Sequence, residues 1–137
     1  MSLARSAAFT AATAAAFALT VAGSANAASQ YGTIALSELN GSAVASTDSS
    51  KVSSDAAAIR DCAVYDCRIV LRFTDGCGAI ARGADGTYGW AAAPSRAEAE
   101  TIAVTALGET NPPFPDLGSA SPRPAHVILS SCTPNAM

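Results

Sequence analysis

Residues 77–90 read as a β-hairpin, and the first half of the chain carries the same order of signals. Two short β-compatible runs, residues 79–82 and 87–90, flank Asp85-Gly86. Asp-Gly supplies the positive φ angles that a tight primed hairpin turn requires. Upstream, Gly32-Thr33-Ile34-Ala35 matches Gly78-Ala79-Ile80-Ala81, Asn40-Gly41 matches Asp85-Gly86, and Ser50-Lys51 matches Ser95-Arg96. Near the end, Ala125-His126-Val127-Ile128-Leu129-Ser130 matches Cys67-Arg68-Ile69-Val70-Leu71-Arg72. A chain built this way is predicted to run strand, strand, helix, strand, twice over.

Two segments stand apart from that order. Residues 1–27 carry one early cation, Arg5, then an Ala-rich apolar run over residues 7–22, then Ala25-Asn26-Ala27. This is the tripartite pattern of a signal peptide with a small-x-small cleavage site. The run is shorter than the ~20 apolar residues of a membrane span and is broken by threonines. Residues 28–137 are thus expected to form one secreted domain, with no membrane insertion after cleavage. Without Arg5, seven Lys and Arg face eleven Asp and Glu, dispersed along the chain. Phosphate-backbone binding needs clustered cations, so nucleic acid is not an expected partner.

The predicted helix over residues 50–62 has a weak stripe of Ala57, Ala58 and Cys62. The second is better written: Ser95-Arg96-Ala97-Glu98 forms a capping box, and Ala99, Ile102, Ala103, Ala106 and Leu107 make a stripe at helical spacing. The connection from Leu107 to Ala125 holds Asn111-Pro112-Pro113-Phe114-Pro115 and Ser121-Pro122-Arg123-Pro124, an insertion that excludes helix and inner strand.

Four cysteines allow three connectivities. In the register of the two halves, Leu107 stands where Cys62 stands and Ala125 where Cys67 stands. Both members of one potential bridge are absent together, which pairs Cys62 with Cys67 and leaves Cys77 for Cys132. Zinc sites favour short Cys-x-x-Cys knuckles; the spacings here supply none. No metal or other cofactor is implied.

Tyr31-Gly32-Thr33-Ile34-Ala35, the Cys62 and Cys67 pair, Phe73-Thr74-Asp75-Gly76-Cys77-Gly78-Ala79-Ile80-Ala81, Tyr88-Gly89-Trp90 and Ser95-Arg96-Ala97-Glu98-Ala99 together resemble the small secreted bacterial proteins grouped as domain of unknown function 4189. The resemblance covers most of residues 28–137, with Asp-Gly-Cys-Gly-Ala its most specific part. It implies two repeats with paired cysteines and assigns no catalytic residue. The chain departs from the pattern at Leu107 and in the proline-rich insertion.

Candidate chemistry is sparse. His126, Asp75, Asp85, Ser130 and Ser131 are the parts a small hydrolase would use, but there is no Gly-x-Ser-x-Gly, and His126 leads a β run where its counterpart is Arg68. Asp75 and Asp85 sit in glycine turns, where short carboxylates bond local backbone. For binding, Tyr31, Tyr88 and Trp90 lie on strands beside glycines, with Tyr88 and Trp90 on one face. Phe114 sits within the proline-rich segment. The expectation is an α+β domain of two ββαβ half-repeats, residues 31–73 and 77–132, forming one mainly antiparallel sheet with both helices on one face. Its expected role is a secreted or envelope-associated, non-enzymatic module that binds or inhibits a protein or glycan. The alternatives are a small extracellular hydrolase and a passive envelope protein.

Overall fold

The computed structural model describes residues 28–112 and 121–137. The expected signal peptide, residues 1–27, and Phe114 lie outside the described residues. The chain runs β1 (Tyr31–Ser37), β2 (Ser42–Asp48), α1 (Lys51–Cys62), β3 (Arg68–Thr74), β4 (Cys77–Arg82), β5 (Tyr88–Ala93) and α2 (Arg96–Leu107). Then come two short strands, β6 (Glu109–Thr110) and β7 (Arg123–Pro124), and finally β8 (His126–Cys132) and a 3₁₀ turn, Pro134–Ala136. Strands pair in the orders β2-β1-β3 and β5-β4-β8, antiparallel throughout. The β6–β7 ladder closes the base of the proline-rich insertion. The class is α+β.

The layering differs from the expected single sheet with both helices on one face. Two three-stranded sheets face each other, and each carries its own helix on the outside. The central strands show why. Every residue from 32 to 37 and from 77 to 81 is buried, and a strand buried on both faces must be covered on both. Ile34 and Leu36 of β1 point inward to Phe73 and Ile80, forming the core between the sheets. Ala35, on the opposite face of β1, packs against Ala58 and Cys62 of α1. In the second half, Cys77, Ala79 and Ala81 of β4 pack against Ala99 and Ala103 of α2.

The outer strands contain matching irregularities. Pairing of β1 with β3 shifts between Ile34 and Ala35, and pairing of β4 with β8 shifts between Ile80 and Ala81. Val70 and Ile128 are the residues left without a partner in those registers. A bulge lets adjacent residues share a face, so Val70 with Leu71, and Ile128 with Leu129, all reach the inter-sheet core. That is why both runs read as unbroken apolar stretches instead of alternating ones.

Phe73 joins the sheets. Its ring lies across Gly32, its partner on β1, and presses on Gly78 of the facing sheet. A Cβ on Gly32 would come within 2.1 Å of the ring, and one on Gly78 within 2.6 Å. Phe73 fits only because both neighbours have no side chain.

The turns are looser than tight primed hairpins. In a type I′ turn both central residues have positive φ, but here only the glycines do, Gly41 at 70° and Gly86 at 85°. Asn40 and Asp85 instead accept hydrogen bonds from the backbone N–H two residues on, at Ser42 and Thr87. The resulting loops are residues 38–41, closed by Gly41 N–H to the Ser37 carbonyl, and residues 83–87, closed by Gly83 N–H to the Thr87 carbonyl.

Both helices start at a serine cap: Ser50 Oγ accepts from Ser53 N–H, and Ser95 Oγ from Glu98 N–H. On α1 the buried face is Ser54, Ala58 and Cys62. On α2 it is Ala99 and Ala103, flanked by half-buried Glu100, Val104 and Leu107, while Ile102 and Ala106 of the expected stripe are exposed. Alanine lets the helix approach the sheet closely, and Glu100 turns inward because it accepts a hydrogen bond from the Ser130 hydroxyl.

Two disulfides complete the fold, Cys62–Cys67 and Cys77–Cys132. The second joins directly opposed residues of β4 and β8. Where the first half has its short bridge, the second half places Leu107 and Ala125 in one apolar cluster.

Candidate functional site

A depression of about 520 Å³ opens where the two sheets come together at the start of β3 and β5. Its position follows from local bonding. Asp66, inside the loop closed by Cys62–Cys67, accepts from the Ser37 hydroxyl at 2.7 Å and from Leu39 N–H at 3.1 Å. The β1–β2 turn is thereby tied to the start of β3, and Glu38 forms an ion pair with Arg68. Ser37, foremost, holds the Asp66 carboxyl below its usual pKa.

The other wall comes from the β4–β5 hairpin. Arg82 and Tyr88 are opposed across its last rung, and the Arg82 guanidinium lies 5.5 Å from the centre of the Tyr88 ring. The turn beyond them is set by Asp85, which accepts from the Thr87 hydroxyl at 2.6 Å and from Thr87 N–H at 3.1 Å. Those two bonds, the hydroxyl first, depress the Asp85 pKa. Trp90 follows on the same face as Tyr88 and is 37% exposed. The Arg68 guanidinium stands 6.0 Å from the centre of its ring. Two cationic groups therefore lie over two aromatic faces, an attractive arrangement for a guanidinium.

Their electrostatic states differ. Arg68 is paired with Glu38, whereas Arg82 has no ion pair among the described residues. The Tyr88 hydroxyl is buried against Gly41 with no hydrogen-bond partner among the described residues. What the depression offers a ligand is thus an unneutralised planar donor in Arg82, a half-open indole face, and a carboxylate, Asp85, already engaged with its own turn. A guanidinium fork suits a carboxylate, and an aromatic face suits a sugar or an apolar side chain.

Of the binding residues expected from sequence, Tyr88 and Trp90 share this depression. Tyr31 does not: it opens a separate hollow with Lys51 and Arg72, at the end of β1 opposed to Thr74. Arg68, Arg82 and Glu38 went unrecognised. The available signal for Arg82 was its place across the hairpin from Tyr88, hidden by counting the turn as two residues.

Of the hydrolytic candidates, Asp85 and His126 line one hollow, and Asp75 and Ser130 lie elsewhere. Asp75 Oδ1 accepts from Gln30 N–H at 2.8 Å and from Asn135 Nδ2 at 2.6 Å, and the first of these bonds chiefly lowers its pKa. It clamps the two ends of the fold. Ser130 Oγ donates to Glu100 and accepts from Arg96, tying α2 to β8. His126 is exposed on β8, opposite Arg82, and lines a smaller hollow, about 360 Å³, with Arg82 and Asp85. Among the described residues, no group of three or more His, Cys, Asp or Glu is placed to hold a metal ion, and no helix is long and apolar enough to cross a membrane.

The sequence matches the family described as Domain of unknown function (DUF4189) over residues 31–132. The chain belongs to this family. The match starts with the first residue of β1 and ends with the last of β8, so this DUF4189 chain spans both sheets and both bridges within the matched region. No curated protein and no solved structure matches it. The DUF4189 assignment brings no activity with it, and the functional argument rests on the site itself.

Proposed function

We propose that this DUF4189 chain is a non-enzymatic binding module of a secreted or envelope-associated protein, and that its ligand seats in the depression between Arg68, Arg82, Tyr88 and Trp90. The observation that carries this reading is Arg82: a guanidinium laid on an aromatic ring, in a depression of about 520 Å³, with no carboxylate partner among the described residues. A guanidinium with no carboxylate partner has its planar fork free for an anionic ligand. The groups a hydrolase would need support the same reading, because Asp75, Asp85 and Ser130 are each committed to bonds that hold the fold. Two disulfides and the signal-like residues 1–27 favour an oxidising, exported setting.

The test uses oxidised residues 28–137, titrated with panels of acidic and neutral oligosaccharides and peptides and followed by Trp90 fluorescence. The reading expects a saturable change from at least one probe, lost in Arg82→Ala, and no turnover of ester, glycoside or peptide substrates. Turnover abolished by His126→Ala would make the chain a hydrolase instead. No response from any probe would remove the binding reading.

A further inference from the structure

The depression is one end of a longer feature. The two sheet orders leave β3 and β5 as edge strands on the same side of the sandwich. The first depression takes Arg68 from the start of β3 and Tyr88 and Trp90 from β5. A second, about 260 Å³, takes Phe73 and Thr74 from the end of β3 and Ala92 and Ala93 from the end of β5. The two edges therefore run side by side in the same direction, and the depressions mark the two ends of one seam. With six residues in β5, the seam is roughly 20 Å long, the span of a short extended segment.

The two edges are not equivalent. Strand β3 presents exposed Arg68 and Arg72, the kind of charge that keeps an edge from pairing. Strand β5 reads Tyr-Gly-Trp-Ala-Ala-Ala, and its register with β4 is unbroken. The strand itself has no charge, no proline and no bulge, three of the devices that keep an edge from pairing. Its inward-facing Trp90 and Ala92 are also exposed, with only the Arg68 side chain of β3 over the Trp90 ring.

Resting on the binding reading above, we infer that the partner is an extended polypeptide segment that adds as a strand to the free edge of β5, with an acidic side chain at the Arg82 end and small or apolar side chains along Trp90 and Ala92. Charge fixes the acidic end: Arg82 is a cation there with no ion pair among the described residues, and the opposite end, with Phe73, Ala92, Ala93 and Pro94, carries the Asp75 carboxylate and no cation. In such a complex, backbone bonds to β5 supply affinity, while alternate side chains entering the two depressions supply selectivity.

The test is a selection from phage-displayed random peptides, about twelve residues long, on the oxidised chain. The best binder is then synthesised and titrated by Trp90 fluorescence. Its sequence should place Asp or Glu at one end of an alternating apolar run. N-methylation should weaken binding on the order of tenfold or more at alternate peptide positions and little at those between, since only one set of N–H groups faces β5. Ala92→Lys, at an exposed site, should weaken it similarly with Tm unchanged. If no peptide is enriched, or if affinity ignores both N-methylation and Ala92→Lys, strand addition is wrong. If affinity is lost in Arg82→Ala yet ignores those changes, the depression remains a ligand site and only the strand inference fails. Loss of neither kind removes both.

Discussion

Gly78 shows how a single missing side chain sets the spacing of the two sheets. The Phe73 ring occupies the space where its Cβ would be, and Leu71 stands 2.9 Å from the same point. Gly78→Ala must displace a buried aromatic that bridges both sheets, and overpacking of this kind costs about 1–3 kcal/mol. Thermal unfolding should show a loss of several degrees, and an unchanged Tm would mean that the ring is not seated there. Asp75 works differently, through its charge. Its pKa is lowered, chiefly by Gln30 N–H and then by the Asn135 amide, so its contribution is complete above the ordinary carboxylate range near 4 and is lost as pH falls through the depressed value. Asp66 and Asp85 act in the same sense. Stability should therefore fall on acidification below about pH 4. Asp75→Asn keeps an acceptor and tolerates the left-handed φ of 49°, but does not titrate across that window; its Tm should be lower at neutral pH and its acid limb shallower. An acid limb as steep as that of the parent would show that Asp75 is not one of the groups responsible.

At the scale of elements, much was legible and the misses have definite causes. Helix starts at Ser50 and Ser95 could be read because an N-cap is a local device. The bridges could be read because a missing cysteine at each of two corresponding positions leaves one consistent pairing. The stripe on α2 was misplaced by a rotation toward Glu100 and Val104, since alanines on every side leave the helix without a marked apolar face. Turn lengths were misread because Asn-Gly and Asp-Gly also suit loops in which the side chain of Asn40 or Asp85 caps the backbone. The bulges at Val70 and Ile128 were invisible, since an unbroken apolar run gives no register. The bridges lead to an ordering. Cys77–Cys132 spans 55 residues of sequence and Cys62–Cys67 spans 5, so by loop entropy the long bridge stabilises by about 4 kcal/mol and the short one by about half that. Cys132→Ser should lower Tm more than Cys62→Ser, each measured beside its parent, and the reverse order would contradict the entropic account.

At the scale of the molecule, the layer order decides where function can reside. Helices cover the outer face of each sheet, so the inner faces meet each other, and the β3–β5 side is where Trp90 and Ala92 remain uncovered. Sequence alone placed Tyr88 and Trp90 on one face but had no means of bringing Arg68 and Arg82 to them, because those contacts cross between the sheets and across a hairpin of misjudged length. Tyr31, similar to them in its sequence setting, lies in the other sheet, opposed to Thr74 at the end of β3 away from Arg68. The most direct measurement is acrylamide quenching of Trp90, the only tryptophan of the chain, in the oxidised protein. An open β3–β5 side predicts a red-shifted emission that is strongly quenched. Blue-shifted emission resistant to acrylamide would mean that Trp90 is covered, and would contradict the site proposed there.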